Sequence, residues 1–342
     1  LHRTVNFLFS PLVVLLLLSS YPSQIGWSQD FTFSQFYAAP LHVNPAMIGF
    51  SEAPRLNFNV RDQLSSFDHA FVTAGLSYDQ YFHKYRSAIG FTLVGDRAGS
   101  LVNTTFASAY YAYQLPISGK LNCHVGVQGS FTQQSLDFGE FIYPDQINAA
   151  TGLESFSATG ELPLNQASTS YFDVSSGILF YTQNFYFGAS AKNLTTPSIN
   201  YTGSNDLGNN LDLKFGAQIG GVLYLGPSHY SGERFYISPN LLFEIQGPFK
   251  QINGGIYAGK KRMYGGFFLR HTINNTDALI ALIGVKSGIF KFGYSYDFTI
   301  SGLNTAAGAH ELSVTIDFGE SPYLKKKIRQ RGAAECPVIF QP

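Results

Sequence analysis

Between about Arg55 and Phe318 the sequence alternates, and this period of two restricts the fold more than any other feature. Leu56, Phe58 and Val60 alternate with Arg55, Asn57, Asn59 and Arg61. Phe215, Ala217 and Ile219 alternate with Lys214, Gly216, Gln218 and Gly220. Phe290, Phe292, Tyr294, Tyr296 and Phe298 are interleaved with Lys291, Gly293, Ser295, Asp297 and Thr299, and Leu312, Val314, Ile316 and Phe318 with Glu311, Ser313, Thr315 and Asp317. Successive side chains of a strand point to opposite faces, so the pattern predicts strands with one apolar and one polar face. The segments run about 10 to 14 residues, longer than the five or six of a soluble strand. They suit a tilted strand that crosses a bilayer.

Fourteen such segments start near residues 54, 70, 86, 101, 119, 168, 183, 212, 234, 250, 262, 276, 288 and 307. An even count fits a closed antiparallel barrel with both chain ends on one side. The segment at 276–286 alternates poorly, because Ala278 to Val285 is almost wholly apolar. Both long connections, 135–167 and 193–211, fall between an odd strand and the next, whereas the even connections are short apart from 226–233. Outer-membrane barrels place short turns in the periplasm and longer loops outside. The reading is an all-β, transmembrane outer-membrane barrel over 54–319.

Composition agrees. Aromatic residues make up 15% and charged residues 13% of the 342, where a soluble domain carries roughly 25% charged. Beyond the first 20 residues no apolar run is long enough for a helical span. The 22 basic and 22 acidic residues cancel, which argues against a nucleic-acid partner. They are unevenly placed. Lys84, Arg86, Lys120, Lys260, Lys261, Arg262, Lys286, Lys325, Lys326, Lys327, Arg329 and Arg331 lie at the short turns or in the tail, while 135–167 carries Asp137, Glu140, Asp145, Glu154 and Glu161 with no Lys or Arg.

Residues 1–28 have an apolar stretch around Val13 to Leu18 and a small-residue exit near Ser28, the pattern of a secretory signal peptide. Residues 29–53 form an N-terminal periplasmic or plug segment, and 320–342 a basic periplasmic tail. Cys123 and Cys336 fall on one side of the membrane in an oxidising compartment, which makes them a candidate disulfide. Catalytic motifs are missing: there is no Gly-x-Ser-x-Gly, His-Glu-x-x-His or Cys-x-x-Cys. No enzymatic site, cofactor or metal is expected.

The segment ahead of the first strand contains Gln29, Asp30, Phe33, Ser34, Gln35, Asn44, Pro45, Ala46 and Gly49. It resembles the N-terminal signature of the PorP/SprF family, which opens with Gln-Asp, Phe-Ser-Gln, Asn-Pro-Ala and Gly. Near the other end, Gly293-Tyr-Ser-Tyr-Asp-Phe-Thr-Ile-Ser, then Gly308-Ala-His310-Glu311-Leu-Ser-Val, and a basic tail into Cys336-Pro337 are similar to the same family. Two departures are Gly308-Ala309-His310, where Gly-Gly-Ser-His is more usual, and Met47-Ile48 after Asn-Pro-Ala. The resemblance implies an outer-membrane component of the type IX secretion system, associated with gliding motility. Its implied partners are outer-membrane lipid, a secreted surface cargo protein and periplasmic secretion components.

Three working parts follow. Residues 29–50 either fold into the periplasmic mouth and block diffusion or form a free arm that docks a partner; Pro40 and Pro45 disfavour a long helix there. Lys325, Lys326, Lys327, Arg329 and Arg331 either bind anionic headgroups or an acidic partner, or merely solubilise the tail. Lumenal Arg55, Arg61, Lys214, Lys291, Asp297, Glu311 and Asp317 either line a pore or neutralise one another. Tyr110, Tyr111, Tyr113, Phe180, Tyr181, Phe185 and Tyr186 are expected as interfacial girdles. The functional alternative to a secretion subunit is a substrate-specific channel or uptake porin.

Overall fold

Alternating apolar faces in lipid leave a strand's N–H and C=O groups with no partner but another strand, and the chain answers by closing on itself. The structure is a computed structural model that describes residues 31–51, 53–63, 71–99, 101–119, 121–137, 166–199, 210–225, 234–272, 275–300 and 308–320. Its strands are β1 (Arg55–Gln63), β2 (Phe71–Phe82), β3 (Ser87–Ala98), β4 (Val102–Pro116), β5 (Asn122–Asp137), β6 (Gln166–Tyr181), β7 (Phe185–Lys192), β8 (Lys214–Gly221), β9 (Leu223–Leu225), β10 (Phe235–Gln246), β11 (Phe249–Lys260), β12 (Met263–Thr272), β13 (Asn275–Ser287), β14 (Phe290–Thr299) and β15 (Ala309–Asp317). Consecutive strands pair antiparallel, and β1 pairs with β15 from Arg55↔Asp317 to Gln63↔Ala309, which closes the barrel.

β8 and β9 are one transmembrane strand broken at Val222, since both pair with β10. The barrel therefore has 14 strands. The register Asn240↔Gly220 brings Pro239 to the level of the break, and Pro has no N–H to donate to a ladder. Val222 turns its own N–H to the Asn184 carbonyl at 2.8 Å. Every strand begins within three residues of its expected position. The parity of connections holds for the long loops only, because the odd connections after Gln246 and Thr272 are as tight as any even one.

The outward face carries the expected series, with Phe58, Phe91, Leu93, Phe131, Phe215, Phe267, Phe292 and Leu312 exposed. The aromatic girdle needs correction. Tyr111, Tyr113 and Phe185 face outward, but Tyr110, Tyr181 and Tyr186 are buried in the lumen. Adjacent aromatics on a strand cannot share a face, and the inward members find lumenal partners: Tyr186 donates to Asn240 Oδ1 at 2.8 Å, and Tyr110 pairs with Thr92 Oγ1 at 3.2 Å.

Residues 31–51 lie inside the barrel, almost entirely buried. They include one helical turn, Pro40–Val43, and a 3-10 turn, Pro45–Met47, each opened by a proline whose missing N–H costs nothing there. Phe36, Tyr37, Ala46, Met47 and Phe50 pack with Leu179, Tyr186, Leu242, Tyr257, Tyr264, Phe268, Ile280 and Leu282 of the wall. This explains the poor alternation of 276–286: Leu279, Ile283 and Val285 face lipid while Ile280 and Leu282 face an apolar core.

Candidate functional site

The site is the seat of the N-terminal segment, gripped at an ionic end and again, by hydrogen bonds and close glycine contacts, at the other. At the ionic end Glu311, with no exposed surface, holds two successive backbone amides: Ser34 N–H donates to Oε2 at 2.7 Å and Gln35 N–H to Oε1 at 3.1 Å. Gln35 Nε2 returns a hydrogen bond to the Glu311 carbonyl at 2.9 Å and another to Ser295 Oγ at 3.1 Å. Its Oε1 accepts from Ser313 Oγ at 2.6 Å and from the Tyr37 hydroxyl at 2.9 Å. Such a satisfied amide fixes one register of the chain against β14 and β15.

Around the same point Asp297 Oδ2 accepts from Ser34 Oγ at 2.7 Å, Arg61 Nη2 at 2.9 Å and Arg270 Nη1 at 3.0 Å. Arg61 Nη1 reaches Glu311 at 3.4 Å and also the Ser34 hydroxyl, which Arg270 Nη2 meets at 2.6 Å. Two guanidinium groups and two carboxylates thus share one buried cluster with a serine at its centre. A buried charge is tolerable only when paired, and the other lumenal charges obey the same rule: Arg55 with Asp79 at 2.9 Å, Lys214 with Glu244 at 3.1 Å, Lys291 with Asp317 at 3.6 Å. These residues neutralise one another.

At the other end Asn44 caps the 3-10 turn, its Oδ1 accepting from Ala46 N–H at 2.8 Å, while its Nδ2 donates to the Ile178 and Ala189 carbonyls at 3.2 and 3.1 Å. The wall makes room with glycine. A Cβ on Gly177 would stand 1.9 Å from Asn44 Oδ1, and one on Gly126 2.5 Å from the Pro45 carbonyl. Gly49 has φ +69°, donates to Asp79 Oδ2 at 2.8 Å and would place a Cβ 2.4 Å from that of Ala88, so two independent constraints require glycine there.

The two ends fix the direction of the segment. Asp297, Glu311, Arg61 and Arg270 lie where their strands meet the odd connections, whereas Asp79, Ala88, Gly126 and Gly177 lie toward the short even turns. The chain therefore runs down the lumen from the long-loop side and reverses into β1. Beside its start is a cavity lined by Phe31, His42, Phe106, Tyr110, Asp173 and Lys192. Lys192 Nζ donates to the His42 carbonyl. The surface His42 retains opens into this lumenal cavity, and burial first, then the neighbouring Lys192 and Lys214, lowers its pKa to about 3.

Of the residues singled out in the sequence, Phe33, Ser34, Gln35, Asn44, Pro45, Ala46, Gly49 and Glu311 meet in this seat. Phe33 packs edge-on against Phe31 at 5.6 Å between ring centroids. His310 does not join them: it faces outward, its Nδ1 2.9 Å from the Tyr294 hydroxyl. Cys123 is buried on β5 between Leu115 and Phe180 in register. Gln29, Asp30, Lys325, Lys326, Lys327, Arg329, Arg331 and Cys336, with the signal peptide and most of the tail, lie outside the described residues. Arg61 and Asp297, expected only as lumenal charges, also join the seat, and Arg270, Gly126 and Gly177, which were not among the expected residues, complete it. For Arg270 the one signal was an Arg following the apolar run Phe267-Phe268-Leu269. Among the described residues no cluster of His, Cys, Asp or Glu could hold a metal ion, and no helix is long and apolar enough to cross a membrane.

A closed antiparallel barrel with an apolar outer belt, its lumen holding the chain's own N-terminal segment, is an outer-membrane β-barrel protein. The chain belongs to the family described as type IX secretion system membrane protein PorP/SprF, whose model matches residues 26–316. That makes it a membrane component associated with this secretion machinery. No curated protein matches it. In outline it is similar to the toluene transporter TodX of P. putida, with a TM-score of 0.46 and 10% identity over 84% of this chain and 95% of that one. It is similar also to the toluene transporter TbuX of Ralstonia pickettii, with a TM-score of 0.45 and 10% identity over 82% and 92%. A FadL homologue of Pseudomonas aeruginosa follows, with a TM-score of 0.42 and 12% identity over 80% and 93%.

Proposed function

We propose that this protein is a non-enzymatic subunit of the type IX secretion system that helps secrete or anchor a particular surface cargo of the gliding or adhesin type. In this reading the N-terminal segment is a plug, the barrel is a fixed platform rather than a pore, and the basic tail contacts periplasmic components of the machine. The observation that carries it is the double grip on residues 31–51: hydrogen bonds to β1, β12, β14 and β15 at one end and to β2, β6 and β7 at the other. A segment bonded to so many strands has no free path out without losing buried partners.

Two measurements test the proposal. In planar bilayers the purified protein is expected to pass little current, and deletion of residues 31–50 to open it. Equal conductance before and after the deletion overturns the plug. Affinity purification from mild-detergent membranes with mass spectrometry is expected to recover a surface protein or periplasmic secretion components. Recovery of neither, together with solute uptake by the isolated barrel, favours the channel instead.

A further inference from the structure

The outward face of a barrel in lipid is normally a continuous coat of large side chains, as on β14 with Phe290, Phe292, Tyr294 and Phe298. On β11 and β12 that coat has a hole. The outward positions Ala258 and Gly265 carry almost no side chain and are directly paired, so the small residues are side by side. Glycine inside a strand weakens it and marks a place where something else comes close. The result is an apolar depression of about 1200 Å³, walled by Phe267 and Met263, which are 67% and 62% exposed.

The rim of this depression is charged. Lys260, Lys261 and Arg262 form the β11–β12 turn at its edge, all three exposed, and no Asp or Glu lines the hollow. This turn is an even connection, at the end where the N-terminal segment passes into β1, so it faces the periplasmic leaflet by the short-turn rule. A second outward hollow of about 470 Å³, over Ala107, Ala109 and Gly129, has no Lys or Arg in its lining. An apolar trough continuous with three cations at headgroup depth matches one chemistry: acyl chains joined to an anionic phosphate.

We infer that the β11–β13 depression seats an anionic phospholipid of the periplasmic leaflet, its acyl chains over Ala258 and Gly265 and its phosphate at Lys260, Lys261 and Arg262. The inference rests on the barrel and its side-chain placement, not on the secretion role. A cation near an anionic headgroup strengthens binding roughly fivefold, so three together give a preference on the order of a hundredfold.

The test uses the full chain purified in detergent, with phosphatidylglycerol and phosphatidylcholine of equal chain length titrated in native mass spectrometry. The wild type is expected to prefer phosphatidylglycerol, and that preference to weaken with salt. The triple variant Lys260→Gln, Lys261→Asn, Arg262→Gln should lose the preference while still binding either lipid weakly; Asn suits position 261, where φ is +58°. Gly265→Leu should fill the trough and lower retention of both lipids, whereas Gly129→Leu in the second hollow should leave the preference intact. An unchanged preference in the triple variant, a salt-insensitive one in the wild type, or a polypeptide held at this face in place of lipid overturns the inference.

Discussion

The same short segment is held by two unlike walls. Against β1, β12, β14 and β15 its Ser34 and Gln35 meet Arg61, Arg270, Asp297 and Glu311, and each contact is a directed hydrogen bond. Against β11 to β13, Phe36 and Tyr37 meet Tyr257, Tyr264, Phe268, Ile280 and Leu282, with Phe36 edge-on to Phe268 at 5.3 Å between centroids. The apolar wall contributes area, which tolerates small shifts; the ionic wall contributes geometry, which does not. One retains the segment, and the other decides which residue sits where.

Breaking the ionic wall should cost most. Asp297→Ala leaves Arg61 and Arg270 facing each other in a buried space, and a loss of about 3–5 kcal/mol is expected, measured by urea unfolding of the detergent-folded barrel. Breaking the apolar wall with Phe36→Ala should cost about 3 kcal/mol, with the hydrogen-bonded register of Ser34 and Gln35 unchanged when backbone protection is read by hydrogen exchange. At the far end of the segment, away from both walls, Gly177→Ala should cost about 2 kcal/mol by displacing Asn44 from its carbonyl partners. In an Asn44→Ala background the same change should cost almost nothing, and a double-mutant cycle reads that coupling.

The smallest expected effect is on pH. His42 binds a proton near pH 3 when seated and near 6.5 when free, so below 6.5 the unseated chain takes up the proton and stability falls as pH falls. Each pH unit below 6.5 should cost about 1.4 kcal/mol. Comparing unfolding midpoints at pH 7 and 5.5 for wild type and His42→Gln checks it: the variant should lose His42's share, so its midpoint should fall less than that of the wild type over this interval.

The strands were legible because lipid imposes a strict rule on one face, and Leu56-Asn57-Phe58-Asn59-Val60 can satisfy it in one register only. The lumenal face follows a looser rule, so Tyr110 and Tyr186 looked like girdle residues until their partners were in view. The poor alternation of Ala278 to Val285 was the visible trace of the apolar wall, but without a partner segment it had no direction. Phe33-Ser34-Gln35 and Glu311 stood out at opposite ends of the chain, and sequence gave no sign that they touch. Their separation of 277 residues between Ser34 and Glu311 is closed only by the barrel. Gly126 and Gly177 carried no signal, since a strand glycine looks alike whether it meets lipid, a bulge or Asn44.

That separation bears on how the molecule is assembled. The first residues of the segment are gripped by the last two strands to emerge, so neither Glu311 nor Asp297 is available until synthesis is nearly complete. Seating the segment and closing β1 on β15 are thus tied in time, and a chain that lacks its final strand must keep both its lumen and its seam open. Late, long-range pairing of this kind is slow. Over that interval the beginning of this protein is still waiting for its end.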